Sequence, residues 1–239
     1  MNLAIMQPYF IPYLGYWQLL NTVDRFVIYD DVTFIKGGWI NRNRILINGK
    51  PSYITIPLHK ASSYKLICDI YLQSSLTWRE KTIKSIENTY RKAPFFSDIF
   101  PIFKKIIYYE TDSLADFLTH NITSLATFMG IKTEFVVTSR CYHNNNLTGQ
   151  DRVLDICKRE SATKYINPQG GQKLYDTETF NKQGLDLRFI VMRSIPYKQR
   201  STGFVPYLSI IDALMAIGTI GVMEHLTEFD LSKRESPNV

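Results

Sequence analysis

The chain has 239 residues, 45% hydrophobic and 21% charged, with a formal charge of +6 and a pI of about 9.1. Those proportions exclude a disordered chain, and no apolar run reaches the roughly 18 residues that a membrane-crossing helix needs. The positive balance points to an anionic partner. The basic residues are spread thinly and form no block, which suits a small anionic ligand better than nucleic acid.

Cys68, Cys141 and Cys157 are odd in number and lack Cys-x-x-Cys spacing, so they read as reduced thiols rather than disulfides or zinc ligands. The opening Met-Asn-Leu-Ala-Ile-Met-Gln-Pro lacks the pattern of a secretory leader, and a cytoplasmic protein is expected. The length fits one α/β domain over residues 1–239.

In chain order, residues 3–6 are an apolar run closed by Gln7-Pro8, the pattern of a buried strand opening into a loop. Pro8 and Pro12 make that loop too stiff to extend the strand. Residues 13–22 predict a helix, with Gly15 in its first turn and Tyr16, Leu19 and Leu20 on its apolar face. Residues 25–29 predict a second strand ending at Asp30-Asp31. This is one βαβ unit, in which strand carboxyl ends and the helix amino end meet at the ligand-binding edge of the sheet.

A hairpin follows, with strands at 45–47 and 53–58 joined through Asn48-Gly49, a strong turn signal. Residues 65–71 predict a further strand. Residues 78–90, 102–109 and 113–129 predict a helical insert over 78–129, with Pro101 at a helix start and Gly130 as a C-cap. From 132 onward strands and helices alternate: strands at 132–138, 164–167 and 185–192, helices at 151–159, 177–183 and 208–217. That order predicts a Rossmann-like, largely parallel sheet. The tail after Leu231 is polar and is expected to be loose.

Four constellations can carry chemistry. Gln7, Tyr9, Tyr13 and Tyr16 surround a helix start, where free amides favour a phosphate or carboxylate and Gly15 permits close approach. Asp30 and Asp31 can bind a metal, orient a ribose or act as a general base. Beside them Lys36, Asn41, Arg42, Asn43 and Arg44 can hold phosphate, with Arg42 and Arg44 on one strand face. Asn167, in Asn-Pro-Gln-Gly-Gly, belongs to the same sheet edge, and Gln199 lies in a basic, hydroxyl-rich loop over 197–203. Of the histidines, which show no metal-ligand spacing, His59 is the best candidate base. Each has a plain alternative: a tyrosine-rich core, a solvated ion pair, a structural turn and a surface loop.

Three stretches carry a resemblance: Ala-Ile-Met-Gln-Pro-Tyr-Phe-Ile-Pro-Tyr-Leu-Gly-Tyr, Tyr-Asp-Asp-Val-Thr-Phe-Ile-Lys-Gly-Gly-Trp-Ile-Asn-Arg-Asn-Arg-Ile, and Tyr-Ile-Asn-Pro-Gln-Gly-Gly. With Leu-Ser-Ile-Ile-Asp ending at Asp212, they resemble the WbqC-like family of bacterial surface-polysaccharide gene clusters. The resemblance implies a transferase of O-antigen assembly that forms an amide by acyl or aminoacyl transfer to a nucleotide-linked amino sugar. The acyl donor, whether free or carrier-bound, is left open, as is any cofactor.

A looser likeness is to the nucleotidyltransferase and pantothenate-synthetase-like superfamily, which has His-x-Gly-His where this chain has Tyr13-Leu14-Gly15-Tyr16. Tyrosine cannot supply a cationic imidazole to phosphates, so the likeness is one of topology. Two other functions remain open on the residues: a non-catalytic protein binding a nucleotide sugar or carrier, and a metal-dependent glycosyltransferase using Asp30 and Asp31.

Overall fold

The computed structural model describes residues 1–193 and 195–233, so Ser194 in the loop before the last helix and the tail at 234–239 lie outside the described residues. The first unit is β1 (Asn2–Met6), α1 (Leu14–Thr22) and β2 (Arg25–Ile28), with β1 and β2 parallel and Leu3 opposite Arg25. The hairpin β3 (Arg42–Ile47) and β4 (Lys50–Thr55) closes through Asn48 and Gly49, whose φ values of 52° and 74° match a turn that needs positive φ at both central residues.

The short strands β5 (Leu58–His59) and β6 (Tyr71–Leu72) pair antiparallel. The helices α2 (Thr77–Tyr90), α3 (Phe96–Ile107) and α4 (Leu114–Met129) come next. The alternating second half is β7 (Glu134–Val136), α5 (Gly149–Arg159), β8 (Lys164–Pro168), α6 (Thr177–Lys182), β9 (Asp186–Met192), α7 (Ile210–His225) and β10 (Phe229–Ser232).

The central sheet has the order β10-β9-β8-β1-β2-β7. All neighbours run parallel except β10, which is antiparallel to β9. The strand order reverses direction at the β1–β8 pair, the switch point outside whose carboxyl ends doubly wound sheets bind ligands. Alternation along the strands divides the core between two faces. Ala4, Phe26, Ile28 and Ile166 pack with α1, the helical middle and α7, whereas Leu3, Ile5, Val27, Tyr165 and Phe189 pack with α5 and α6.

Three local expectations are corrected, and one strand is added. Residues 65–71 form a 3-10 turn at Ile67–Asp69 leading into β6, because Ile67 and Ile70 are buried at a turn-like spacing instead of alternating. The helix expected from Pro101 begins at Phe96: Pro101 sits inside it on the exposed side, while Ile99, Phe103, Ile106 and Ile107 supply the buried stripe. The last helix runs beyond residue 217 to His225, across a break at Gly218. Residues 229–232 form an edge strand whose backbone pairs with β9, a partner that lies far from it in the chain.

Candidate active-site edge

The carboxyl end of β1 is fixed by aromatic packing. Tyr16 is buried against Tyr9 and Phe26, with ring centroids 5.6 and 5.5 Å away, and its hydroxyl donates to the Gln7 carbonyl oxygen at 3.1 Å. Burial pushes the Tyr16 hydroxyl well above its ordinary pKa, so it acts as a neutral donor. The half-buried Tyr13 turns its ring back over Gly15. A Cβ there would lie 2.6 Å from Tyr13 Cε2 and 3.0 Å from Met192 Sδ. Gly15 thus makes room for Tyr13 and for the end of β9. Tyr13 in turn meets Tyr207 edge-on at 5.8 Å.

The hairpin is tied to this loop by the buried Asn43 amide. Asn43 Nδ2 donates to the carbonyl oxygens of Phe10 at 3.0 Å and Ile11 at 2.8 Å, and Asn41 Nδ2 to Ile56 O at 2.9 Å. Ser209, the N-cap of α7, donates its backbone N–H to Arg44 O at 2.8 Å and its hydroxyl to Ile11 O at 2.8 Å. On the outer face Arg42 stacks over Tyr53 at 4.5 Å and Arg44 over Trp39 at 5.5 Å. Trp39 and Tyr53 lie 6.3 Å apart. Arg44 Nη2 reaches Tyr207 O at 3.3 Å, and its buried Nε has no partner among the described residues. The hairpin therefore brings Arg42, Arg44 and Tyr13 into one aromatic and cationic patch, while Lys36 stands exposed in the preceding turn.

Asp30 and Asp31 are buried and bonded to side chains from distant parts of the chain. Asp30 accepts from Thr138 Oγ1 at 2.8 Å and Ser139 N at 3.0 Å, and pairs with Arg140 at 3.2 Å. Asp31 accepts from Ser139 Oγ and pairs with Arg152 at 2.6 Å, where the side chains are 5% and 8% exposed for Arg152 and Asp31 respectively. Arg152 also donates to Asn144 Oδ1 at 2.9 Å and lies over the Tyr29 ring at 5.1 Å.

Asn167 is likewise committed: its Nδ2 donates to the Tyr165 hydroxyl at 2.7 Å, and a Cβ at Gly171 would run into its Oδ1. His59 is exposed and lines a separate depression with Tyr71 and Asp112, away from the arginine patch. Among the described residues no group of three or more His, Cys, Asp and Glu is arranged to hold a metal ion.

A further polar cluster centres on Asp212, in the first turn of α7. Its Oδ1 accepts from Tyr90 at 3.0 Å; its Oδ2 accepts from Tyr197 and from Gln199 Nε2, each at 2.9 Å. Gln199 closes its own loop by exchanging hydrogen bonds with the Val205 backbone, at 3.0 and 2.6 Å.

The model of the WbqC-like protein family matches residues 7–223. The chain belongs to this family. It is similar to the uncharacterized protein Rv1507c of Mycobacterium tuberculosis (strain ATCC 25618 / H37Rv), 26% identical over 219 residues that cover 91% of this chain and 94% of the relative. No solved structure matches it. Among the described residues no helix is long and apolar enough to cross a membrane.

In this WbqC-like chain the Asp212 cluster escaped the residue-by-residue reading, although Asp212 closes one of the resembling stretches. Its partners come from α2 and the 195–207 loop, and spacing along the sequence does not reveal them. Burial raises the Asp212 carboxyl above its usual value, against the lowering effect of Tyr197, Tyr90 and Gln199. A carboxyl raised on folding stabilises fully below its unfolded pKa of about 3.9, and that contribution is lost as pH rises through the folded value. The stability difference between wild type and Asp212→Asn, measured by urea unfolding across acidic pH, is therefore expected to shift against the wild type as pH rises. A difference independent of pH would contradict a raised carboxyl.

Proposed function

We propose that the chain is a transferase of bacterial surface-polysaccharide assembly that forms an amide by moving an acyl or aminoacyl group onto a nucleotide-linked amino sugar. One observation carries the reading: Arg42 and Arg44, stacked on Tyr53 and Trp39, stand beside the first strand's carboxyl end in a sheet of doubly wound order. Arg42 is held by donating Nε and Nη2 to the Gly38 and Gly37 carbonyl oxygens, which leaves Nη1 for a phosphate oxygen beside Arg44, and the neighbouring rings suit a base or sugar face. Tyr13 joins the same surface through Tyr207, and this reading adds Lys36, Gln7 and Tyr9 as further ligand contacts.

In the reaction the amine attacks the acyl carbonyl carbon, a C–N bond forms, the bond to the leaving group breaks, and the ammonium proton passes to a base. Asp30 and Asp31 serve this reading by fixing Arg140 and Arg152, since their oxygens already accept from several donors. His59 lines a separate depression, away from the arginine patch, so in this reading the proton passes to water at the site. The same engagement of Asp30 and Asp31 by arginines leaves a metal-dependent glycosyltransferase with less support.

The test is mass spectrometry of nucleotide-linked amino sugars incubated with pools of acyl donors. A mass gain of one acyl or aminoacyl group is expected. Loss of one charge-assisted contact costs about 1.5–3 kcal/mol, so Arg44→Gln should weaken acceptor binding by roughly ten- to a hundredfold. Tight binding with no mass gain across the panel would instead indicate a non-catalytic binding protein. Wild-type turnover in Arg44→Gln would remove the arginine patch from the site.

A further inference from the structure

Two cavities adjoin where the β3–β4 turn, α2 and the 195–207 loop meet. The first, about 260 Å³, is lined by Lys92, Lys198, Arg200 and Asp212, with Ala93 and Pro94 as an apolar wall. The second, about 420 Å³, is lined by Asn48, Ser85, Asn88 and Thr89. Arg200 lines both and joins them.

The three cations in this region have no ion-pair partner among the described residues. No carboxylate among the described residues lies within 4.0 Å of the Lys92, Lys198 or Arg200 side-chain nitrogens, whereas Arg25, Arg152 and Arg193 all have carboxylate partners. The loop bearing two of the three cations is built, not loose. Gln199 spans it from Val205 to Asp212, and its neighbours Lys198 and Arg200 both face the cavity. At the floor Asp212 is 3% exposed and accepts three protein hydrogen bonds; a carboxylate offers about four acceptor positions, leaving one for a donor in the cavity. A ligand that fits carries phosphate, a hydroxyl donor and an apolar face.

We infer that these cavities hold the phosphorylated leaving group of the acyl donor, a nucleoside phosphate. Its phosphates would lie on Arg200 and Lys198, its base against Ala93 and Pro94, and a ribose hydroxyl would donate to Asp212. The assignment rests on the acyl-transfer reading above and adds a second substrate site to it.

Two donors share this chemistry. In a coenzyme A thioester the amine displaces the thiolate, breaking the C–S bond. In an acyl adenylate it displaces the nucleoside monophosphate, breaking the C–O bond. Either way one C–N bond forms and the amine proton goes to water.

Isothermal titration of the full chain with ATP, AMP, coenzyme A and pyrophosphate tests the site, with UDP-glucosamine titrated separately as an acceptor probe. Lys198→Ala/Arg200→Ala changes two exposed side chains, and it should weaken nucleoside-phosphate binding at least about tenfold while leaving UDP-glucosamine unaffected. Asp212→Asn should weaken AMP and coenzyme A but not pyrophosphate, which has no ribose. Preference for coenzyme A marks the thioester route, and preference for ATP or AMP the adenylate route. The inference is overturned if the wild type binds none of the nucleoside phosphates, if the double variant binds them as the wild type does, or if it loses UDP-glucosamine instead. Failure of UDP-glucosamine to bind, or its indifference to Arg44→Gln, counts against the acceptor patch alone.

Discussion

Asp31→Ala will destabilise the chain by about 3–5 kcal/mol, the cost of leaving a buried charge without its partner. The Arg152 guanidinium remains 5% exposed in a site built around the carboxylate, with only Asn144, the Asp31 carbonyl and the Tyr29 ring left to it. Ser139 Oγ loses an acceptor as well. Because the pair is buried, salt will not mask the effect as it would for a surface pair. Urea unfolding of Asp31→Ala, Arg152→Met and the double variant separates the terms. The double variant should recover most of the loss, since it removes both charges from a buried setting. A single-variant loss under about 1 kcal/mol would mean that water already reaches the pair.

The same pair shows where reading the sequence runs out. The first βαβ unit was legible because its signals are local: an apolar run ended by Gln7-Pro8, an amphipathic stretch, and a second apolar run before Asp30. The Asn48-Gly49 turn was legible for the same reason. What Asp30 and Asp31 do was not, because Thr138, Ser139, Arg140 and Arg152 approach them from more than one hundred residues away. Edge strand β10 went unpredicted although Phe229-Asp230-Leu231-Ser232 alternates as a strand does, because four residues are a weak signal and its stability comes from pairing with β9.

The site was legible in part. The βαβ order put Tyr13 on the ligand-binding edge and strand alternation put Arg42 and Arg44 on one face, and the fold brings all three together through Tyr207 and Trp39. Asn43, Asn167 and Gln199 have the side-chain chemistry of ligand contacts, but their amides are used to hold the chain. An amide that binds a ligand and one that satisfies a buried carbonyl look alike in sequence; only the identity of the partner separates them.

Gly218→Ala is expected to cost about 3 kcal/mol, through strain at a backbone conformation that is nearly exclusive to glycine together with overpacking. Gly218 has φ 69° and ψ −178° in the middle of α7, and a Cβ there would come 2.6 Å from the Phe95 ring. The break has a structural purpose. Phe95 inserts where the helix opens and donates its backbone N–H to Met215 O at 3.3 Å, supplying a partner to a carbonyl near the break.

The break also sets the two halves of α7 independently. The first half carries Asp212 to Tyr90, Tyr197 and Gln199. The second presents His225 O to Gln18 Nε2 at 2.8 Å, locking α7 against α1. Straightening the helix would satisfy one set at the expense of the other. Gly130→Ala is the comparison: its φ is 76°, but nothing lies within 4 Å of the new Cβ, so it should cost only the left-handed penalty of about 1–2 kcal/mol. Thermal and urea unfolding of both variants, with Phe95→Ala added to Gly218→Ala, then divides backbone strain from the ring clash. Equal losses at Gly130 and Gly218, or no relief on removing the Phe95 ring, would show that the break does not depend on Phe95. A loss of nucleoside-phosphate binding in Gly218→Ala, at a temperature where the variant is still folded, would tie the break to the setting of Asp212.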